Sequence, residues 1–279
     1  MAPTVPAAPE RIRVSGGEVS YYRIGSGPPV VLTHGTPSRS LLWRHIAPVL
    51  AVRHTVYVWD LLGYGDSTLS PELRPSVARH AATLAELAER WELDDPVLVG
   101  HDIGAATVLR AHLRHDVPVR ALALLDAAVL PPWTTPVAQH IQAHLDAYRS
   151  MPEHIFHELV RAHLATATHR PLDPVIERAY LAPYAGPAGQ QRYLDQVEGF
   201  DDADTRDLVA DLPEISAPAL VLWGQHDRWL PAATASRLAA ALPHAAHVTV
   251  PEAGHFLPED DPTATVTELS AFLHRVVPR

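Results

Sequence analysis

The feature of the sequence that most constrains the fold is the stretch of residues 97–106. Its apolar run at 97–99 leads directly into Gly-x-Asp-x-Gly, and an alanine-rich helical pattern follows. This order predicts a strand, a sharp turn and a helix, with Asp102 held between Gly100 and Gly104. A carboxylate at such a turn would lie over the sheet edge, and as a nucleophile it would form an ester. Because Asp and Gly favour turns in any protein, the motif alone is also compatible with an ordinary turn.

The composition excludes several kinds of chemistry and partner. The 279 residues include no cysteine, which excludes disulfides and thiolate chemistry, and no lysine, which excludes Schiff-base catalysis. A formal net charge of −10 without any basic run argues against a nucleic-acid partner. The first residues lack the features of a signal peptide, and no apolar run approaches the roughly 20 residues that span a bilayer. We expect a cytoplasmic protein with no membrane partner, either a monomer or a homodimer.

Strand-like and helix-like segments alternate along most of the chain, after a Pro/Ala tail at residues 1–9. Predicted strands lie at 11–14, 18–24, 29–33, 55–59, 97–99, 119–125, 219–223 and 246–250, and predicted helices at 40–50, 76–91, 232–242 and 262–277. A further helix is predicted to follow the Gly-x-Asp-x-Gly turn and to end at residue 115. Between 131 and 213 only helical patterns occur, at 137–149, 154–165, 174–181 and 189–197. The fold class is therefore α/β, a mostly parallel sheet with helices on both faces. We predict a core domain of residues 1–130 and 214–279, interrupted by a helical cap of residues 131–213.

Two polar residues follow the predicted strands of the second core segment. Asp227 comes shortly after one strand and His255 after the next. The order along the chain is nucleophile, acid, histidine, which is the order of the triad in α/β-hydrolases. Since sites in open α/β sheets form at the carboxyl ends of strands, we expect Asp102, Asp227 and His255 to meet there. Asp126, which ends an earlier strand, is a second candidate for the acid or a residue that merely caps its strand.

With these residues the chain resembles the α/β-hydrolase superfamily, in its Asp-nucleophile branch of epoxide hydrolases and haloalkane dehalogenases. The matching motifs are His34-Gly35-Thr36-Pro37, Trp43-Arg44, Asp60-Leu61-Leu62-Gly63-Tyr64-Gly65-Asp66-Ser67, Gly100-His101-Asp102-Ile103-Gly104, Asp227 and Gly254-His255-Phe256. The resemblance covers nearly all of the chain outside the tail and the cap. Its motifs are specific for the branch and not for the substrate.

The resemblance implies a role for each matching residue. Asp102 would attack carbon and become an ester, and His255 would activate the water that hydrolyses it. Asp227 would orient His255, while the backbone N–H groups of Thr36 and Ile103 would form the oxyanion hole. The peptide bond before Pro37 is expected to be cis, as in similar enzymes. An ionised carboxylate needs no base to attack, so the base serves only the water. We expect neither a cofactor nor a metal.

The leaving group is the open question. Similar dehalogenases bind the halide through a Trp after the nucleophile and an Asn in the His-Gly-x-Pro-like turn, where this chain has Ile103 and Thr36; Trp133 lies only at the edge of the cap. Epoxide hydrolases place two cap tyrosines, or a His and a Tyr, on the departing oxygen. The cap offers Tyr148, Tyr180, Tyr184, Tyr193, His154 and His157.

Of these, Tyr193 and His154 are our candidate donors, although such residues also occur as plain packing or surface residues. The sequence therefore favours an epoxide hydrolase acting on a small, apolar or partly apolar substrate and water. A dehalogenase with an atypical halide site is the alternative. A ligand-binding protein that keeps the fold without turnover is an alternative of another class, against which the intact Asp/His/Asp set argues.

Overall fold

The chain is organised around one sheet of nine strands, seen in a computed structural model that describes residues 8–277. The strands are β1 (Glu10–Val14), β2 (Gly17–Gly25), β3 (Pro29–Thr33), β4 (Thr55–Trp59), β5 (Thr68–Leu69), β6 (Val97–His101), β7 (Ala121–Leu125), β8 (Ala219–Gly224) and β9 (Ala245–Val250). Their order is β1-β2-β4-β3-β6-β7-β8-β9, with the short β5 paired to β2. The ladders from β4 to β9 are parallel, and those of β1 and β2 are antiparallel. The first seven residues of the predicted Pro/Ala tail lie outside the described residues.

The central strands are buried on both faces, as their unbroken apolar sequences predict. Alternate residues of β3 enter two different apolar clusters: Val30 and Leu32 join one, and Val31 joins the other. Because successive side chains of a strand point to opposite faces, each face of the sheet has its own core. This confirms the predicted α/β architecture with helices on both faces.

The helices outside the insertion between β7 and β8 follow the order that the sequence predicts, with one additional short helix at Leu257–Asp260. They are α1 (Ala47–Leu50), α2 (Val77–Arg90), α3 (Ile103–His115), α10 (Ala233–Ala241), α11 (Leu257–Asp260) and α12 (Pro262–Val276). The single helix predicted at 40–50 is wrong, because the chain forms a 3-10 turn at Ser40–Trp43 before the short α1. Pro48 lies in the first turn of α1, where its missing N–H costs nothing; inside one continuous helix it would break the ladder. Within residues 8–277, no helix is both long enough and apolar enough to cross a membrane.

Between β7 and β8 the chain forms a helical insertion, here called the inserted segment (residues 131–213). Its helices are α4 (Pro136–Ala143), α5 (Leu145–Arg149), α6 (Glu153–Leu164), α7 (Pro174–Leu181), α8 (Gly186–Glu198) and α9 (Ala203–Arg206), with 3-10 turns at Ala182–Tyr184 and Leu212–Glu214. The helix predicted at 137–149 is divided at His144, whose backbone leaves the helical region (φ −134°). Tyr180 of α7 donates a hydrogen bond to Glu259 of α11, which also binds Arg44, so this contact joins the inserted segment to the core.

Candidate active site

Asp102 stands at the turn between β6 and α3, in a backbone conformation that few residues other than glycine adopt (φ 55°, ψ −125°). The two flanking glycines make this turn possible through close packing. A Cβ on Gly100 would lie 2.4 Å from the carbonyl oxygen of Gly104, and one on Gly104 would lie 2.5 Å from that of Thr33. The strand and the helix therefore approach each other as the Gly-x-Asp-x-Gly spacing predicts.

The Asp102 carboxylate accepts hydrogen bonds from backbone N–H groups. The amide of Thr36 donates to Oδ2 over 2.7 Å. Burial raises the pKa of Asp102 above its usual value, while His255 and the amides of Thr36 and Ile103 oppose that rise by favouring the ionised form. The Thr36–Pro37 peptide bond is cis. The oxygen held by Thr36 would remain the carbonyl oxygen of an ester, which leaves Oδ1 free to attack.

His255 lies between the two predicted acidic partners and is fully buried. Its Nδ1 atom lies 2.9 Å from Oδ2 of Asp227, and its Nε2 atom lies 3.8 Å from Oδ1 of Asp102 and has no hydrogen-bond partner within the described residues. Burial alone would lower the pKa of His255, but the carboxylates of Asp227 and Asp102 outweigh it and raise the pKa above its usual value. An unpaired Nε2 beside Asp102 is the position from which a base would deprotonate a water.

Asp227 is fixed from its other side by the loop after β8. Its Oδ1 accepts the amides of Trp229 and Leu230 at 2.8 and 2.9 Å, so the carboxylate faces His255 in one orientation. Asp126 lies beside this acid–histidine pair. One side-chain oxygen or nitrogen atom of each of Asp126, Asp227 and His255 lies within 4.8 Å of the corresponding atoms of the other two residues. Such a trio could hold a cation in principle, but Nδ1 of His255 is already engaged by Asp227. The arrangement is that of a hydrogen-bonded acid–histidine pair.

A cavity of about 500 Å³, including its open mouth, lies over Asp102 and His255. Its walls are mostly apolar and come from the core loops and from α4, α6 and α8. The lining consists of Thr36, Pro37, Asp102, Ile103, Trp133, Thr134, Thr135, Val137, Ala138, Ile141, His163, Tyr193, Val197, Phe200, Trp229, Leu230 and His255. Apart from Asp102 and the two histidines, none of these lining residues of the described chain carries a charge at any pH near neutrality. The cavity suits a small uncharged molecule.

Of the four tyrosines that the sequence offered, one lines this cavity. The hydroxyl of Tyr193 makes no hydrogen bond to any described residue, and burial raises its pKa above the usual value. The hydroxyls of Tyr180 and Tyr184 donate instead to Glu259 and to Gln196. Tyr148 is half-buried outside the lining. Tyr193 is thus a protonated, unengaged donor at the cavity wall.

The expectation for His154 needs correction, because His154 is exposed and lies outside the cavity lining. His157, the other candidate from this stretch, is also absent from the lining. His163 lines the cavity instead, nine residues further along α6. At about 100° per residue, nine residues turn a helix by about two and a half revolutions, so His154 and His163 lie on opposite faces. The buried stripe of α6 at Phe156, Val160 and Leu164 was the signal in the sequence that favours position 163.

Two indoles line the cavity, yet both of their N–H groups are already used. Trp133 donates to the hydroxyl of Thr205 over 2.7 Å, and Trp229 donates to that of Thr166 over 2.8 Å. Trp229 also stacks in parallel on His163, at 4.4 Å between ring centroids. Burial lowers the pKa of His163 to about 4, so its imidazole is neutral near pH 7. No pattern in the sequence indicates the Trp229–His163 stack, because its two members are 66 residues apart along the chain.

Comparisons with known proteins agree with this architecture. A family model described as alpha/beta hydrolase fold matches residues 28–262. A haloalkane dehalogenase from Sphingobium indicum is 30% identical over 96% of this chain and 95% of its own length. An α/β-hydrolase fold protein from Burkholderia ambifaria, known by its crystal structure, is 34% identical and superposes with a TM-score of 0.91 over 96% of this chain and 98% of that chain.

A haloalkane dehalogenase from Bradyrhizobium elkani has the same fold at lower similarity. Its crystal structure superposes with a TM-score of 0.80 at 24% identity and covers 96% of this chain and 97% of that chain. The family match and the two more similar relatives span the β6–α3 turn, the inserted segment and the loop that carries Asp227.

Proposed function

Because this chain belongs to the α/β-hydrolase superfamily, in its dehalogenase-like branch, we propose that it is a hydrolase in which Asp102 attacks carbon and forms an alkyl-enzyme ester. Thr36 and Ile103 would stabilise the oxyanion that forms when water attacks the ester. His255 would take the proton of that water, and Asp227 would stabilise the resulting imidazolium. The inserted segment would act as the cap that closes the cavity over the substrate.

The favoured reaction is the opening of an epoxide to a diol. The observation that carries this choice is the kind of donor available at the cavity wall. A departing halide needs N–H donors, but the indoles of Trp133 and Trp229 donate to threonines. A departing epoxide oxygen needs an acid or a hydrogen-bond donor, and the unengaged hydroxyl of Tyr193 is one. His163, neutral and also in the lining, is the second candidate donor, in place of His154.

The substrate is expected to be small and uncharged. The described lining residues include no arginine that could bind a carboxylate, and their apolar walls would not solvate an ionic group. Asp102 itself would repel an anion. Terminal or lightly substituted epoxides with an apolar chain match these properties best.

Haloalkane dehalogenation is the second candidate function. It is favoured by the relative from Sphingobium indicum, which bears that name and is 30% identical over 96% of this chain. In this case the hydroxyls of Tyr193 and Thr36, both in the lining, would have to receive the halide in place of N–H groups.

A matched pair of substrates tests the proposal: a terminal epoxide and a 1-haloalkane with the same carbon chain. His255→Gln should still form the ester at Asp102 but not release it, because only hydrolysis needs the base. The intact mass should then rise by the whole mass of the epoxide, or by the haloalkane less hydrogen halide. Asp102→Ala is the blank for both substrates.

The outcomes separate the two functions. An adduct from the epoxide, with diol formation by the wild type and no halide release, supports epoxide hydrolysis. Halide release without epoxide turnover would move the assignment to the second candidate. The absence of an adduct from either substrate in His255→Gln would contradict the role of Asp102.

A further inference from the structure

Asp126 is a buried carboxyl group that the reaction described above does not use. It follows directly after β7 in a left-handed backbone conformation (φ 41°), and its amide continues the sheet by donating to Leu222. The residue is 0% exposed. Its Oδ1 accepts the amide of Gly224 over 2.8 Å, whereas its Oδ2 is buried without a hydrogen-bond partner among the described residues. An unpaired buried carboxyl oxygen requires an explanation, because such an atom costs free energy.

The unpaired oxygen belongs to a group that faces other titratable side chains. Asp227 comes from the loop after β8 and His255 from the loop after β9, and both have an atom within 4.8 Å of the Asp126 carboxyl. Asp102, on the turn after β6, adds a third negative charge nearby. Within residues 8–277, no arginine or histidine nitrogen lies within 4.0 Å of the carboxyl oxygens of Asp126. Three carboxylates would therefore share one imidazolium in a buried space.

Two neighbouring carboxylates in such a space do not both ionise, and the one that accepts more hydrogen bonds keeps the charge. The negative charge is expected on Asp227, because its carboxylate accepts hydrogen bonds from two backbone amides and from the N–H of His255. Asp126 accepts only one amide. A proton on Oδ2 of Asp126 removes the repulsion and turns the unpaired oxygen into a donor towards Asp227.

We propose that Asp126 is a neutral carboxylic acid whose Oδ2–H donates a hydrogen bond to the Asp227 carboxylate, which makes it a positioning residue for the Asp227–His255 pair. Burial and the charge of Asp227 raise the pKa of Asp126 well above its usual value, in agreement with this geometry. The catalytic consequence rests on the function proposed above. By donating to Asp227, the acid holds that carboxylate in its orientation and moderates its attraction for the proton on His255.

The state of the proton can be tested without substrate, by comparing Asp126→Asn with the wild type. If the pKa of Asp126 is higher in the folded than in the unfolded protein, folding takes up a proton. The contribution of Asp126 to the free energy of unfolding is then complete below its unfolded pKa of about 4, and it is lost as the pH rises through the folded pKa. The amide of the variant keeps both hydrogen bonds and does not titrate. The folding equilibrium constant of Asp126→Asn relative to wild type should therefore increase by about tenfold or more between pH 4 and pH 7.

Asp116→Asn is the matched control. Asp116 has the same left-handed backbone conformation (φ 53°) but is exposed. Its relative folding constant should change little over the same pH range. Infrared difference spectra of wild type minus Asp126→Asn should also contain the C=O band of a protonated carboxylic acid, and those of wild type minus Asp116→Asn should not.

Activity then tests the positioning role. Asp126→Asn should form and hydrolyse the ester at nearly the wild-type rate, because its side-chain N–H replaces the O–H donor. Asp126→Ala removes the donor and should slow ester hydrolysis by about tenfold, since a buried acceptor loses its partner. The pH dependence of hydrolysis, which reports the basicity of His255, should shift in Asp126→Ala and not in Asp126→Asn.

Three results would overturn the proposal. A relative folding constant of Asp126→Asn that is independent of pH, with no carboxylic acid band, would show that Asp126 is ionised. A loss of activity in Asp126→Asn as large as that of Asp227→Asn would make Asp126 the triad acid itself. Wild-type hydrolysis and pH dependence in Asp126→Ala would remove the positioning role. The stability and infrared measurements involve no substrate, so their results do not depend on whether the proposed function is correct.

Discussion

Tyr193→Phe is the substitution that probes the leaving-group side of the cavity most cleanly. The hydroxyl that it removes makes no hydrogen bond within residues 8–277, so no buried partner is left unpaired. The ring keeps its edge-to-face contacts with Phe156 and Tyr184, at 5.7 and 5.4 Å between centroids. We therefore expect the free energy of unfolding to change by less than about 1 kcal/mol.

The effect on ester formation should be much larger. A donor to a developing oxyanion contributes about 2.7–4 kcal/mol in a water-excluded site. His163 lines the same cavity and can retain part of that stabilisation, so we expect a smaller loss, about 1.4–2.7 kcal/mol. This corresponds to a rate of Asp102 ester formation from an epoxide that is about ten- to a hundredfold lower. Hydrolysis of the ester should be nearly unchanged, because the hydroxyl acts on the first step.

The assay is rapid quench followed by intact mass, in the His255→Gln background where the ester accumulates. Tyr184→Phe is the control, since its hydroxyl bonds Gln196 over 3.1 Å and lies outside the cavity lining. That variant should lose about 1 kcal/mol of stability and form the ester at the normal rate. A Tyr193→Phe rate within twofold of its parent, with an epoxide that is a good substrate, would refute the reasoning.

Three further predictions concern the catalytic residues and the joint between the inserted segment and the core. Asp227→Asn should lower kcat by about a thousandfold or more, because the imidazolium loses its partner; a steady-state loss below tenfold would contradict that role. In single-turnover pH profiles, the rate of ester hydrolysis should rise with pH through the raised pKa of His255. The rate of ester formation should fall at acid pH, because Asp102 becomes protonated. The opposite slope for the hydrolysis rate would exclude His255 as the base. Glu259→Gln should lower the free energy of unfolding by about 2–3 kcal/mol in urea, because the Glu259 side chain is 2% exposed and binds Arg44. The partial exposure of Arg44 keeps this loss below that of a fully buried ion pair. An unchanged urea midpoint would contradict this prediction.

The sequence by itself determined the scaffold of this protein. Short, continuous apolar runs such as residues 29–33 and 55–59 are typical of strands buried on both faces of a sheet, and the structure has strands with those bounds. The two glycines around Asp102 predicted the sharp turn, because a Cβ on Gly100 would collide with the start of α3 and one on Gly104 with carbonyl oxygens at the end of β3. These features are local: each depends on the periodicity or the steric size of residues that are adjacent in the chain.

Only the tertiary structure decided which polar groups are free. By residue type, Trp133 and Trp229 could each donate an indole N–H to a leaving group. In the structure these N–H groups donate instead to threonines that lie 72 and 63 residues away along the chain. The apolar stripe of α6 indicates that His163 lies near the buried face of that helix and His154 on the opposite face, but only the tertiary structure shows that His163 lines the cavity.

The same holds for the acids around His255. Asp126 and Asp227 both follow strands in the sequence, and their order cannot tell which one bonds the imidazole. The parallel neighbours β7 and β8 bring both to one edge of the sheet, where the amides of the loop after β8 select Asp227. Sequence patterns thus fix which residues reach the site, while long-range hydrogen bonds and burial, which depend on distant segments, fix their orientation and charge.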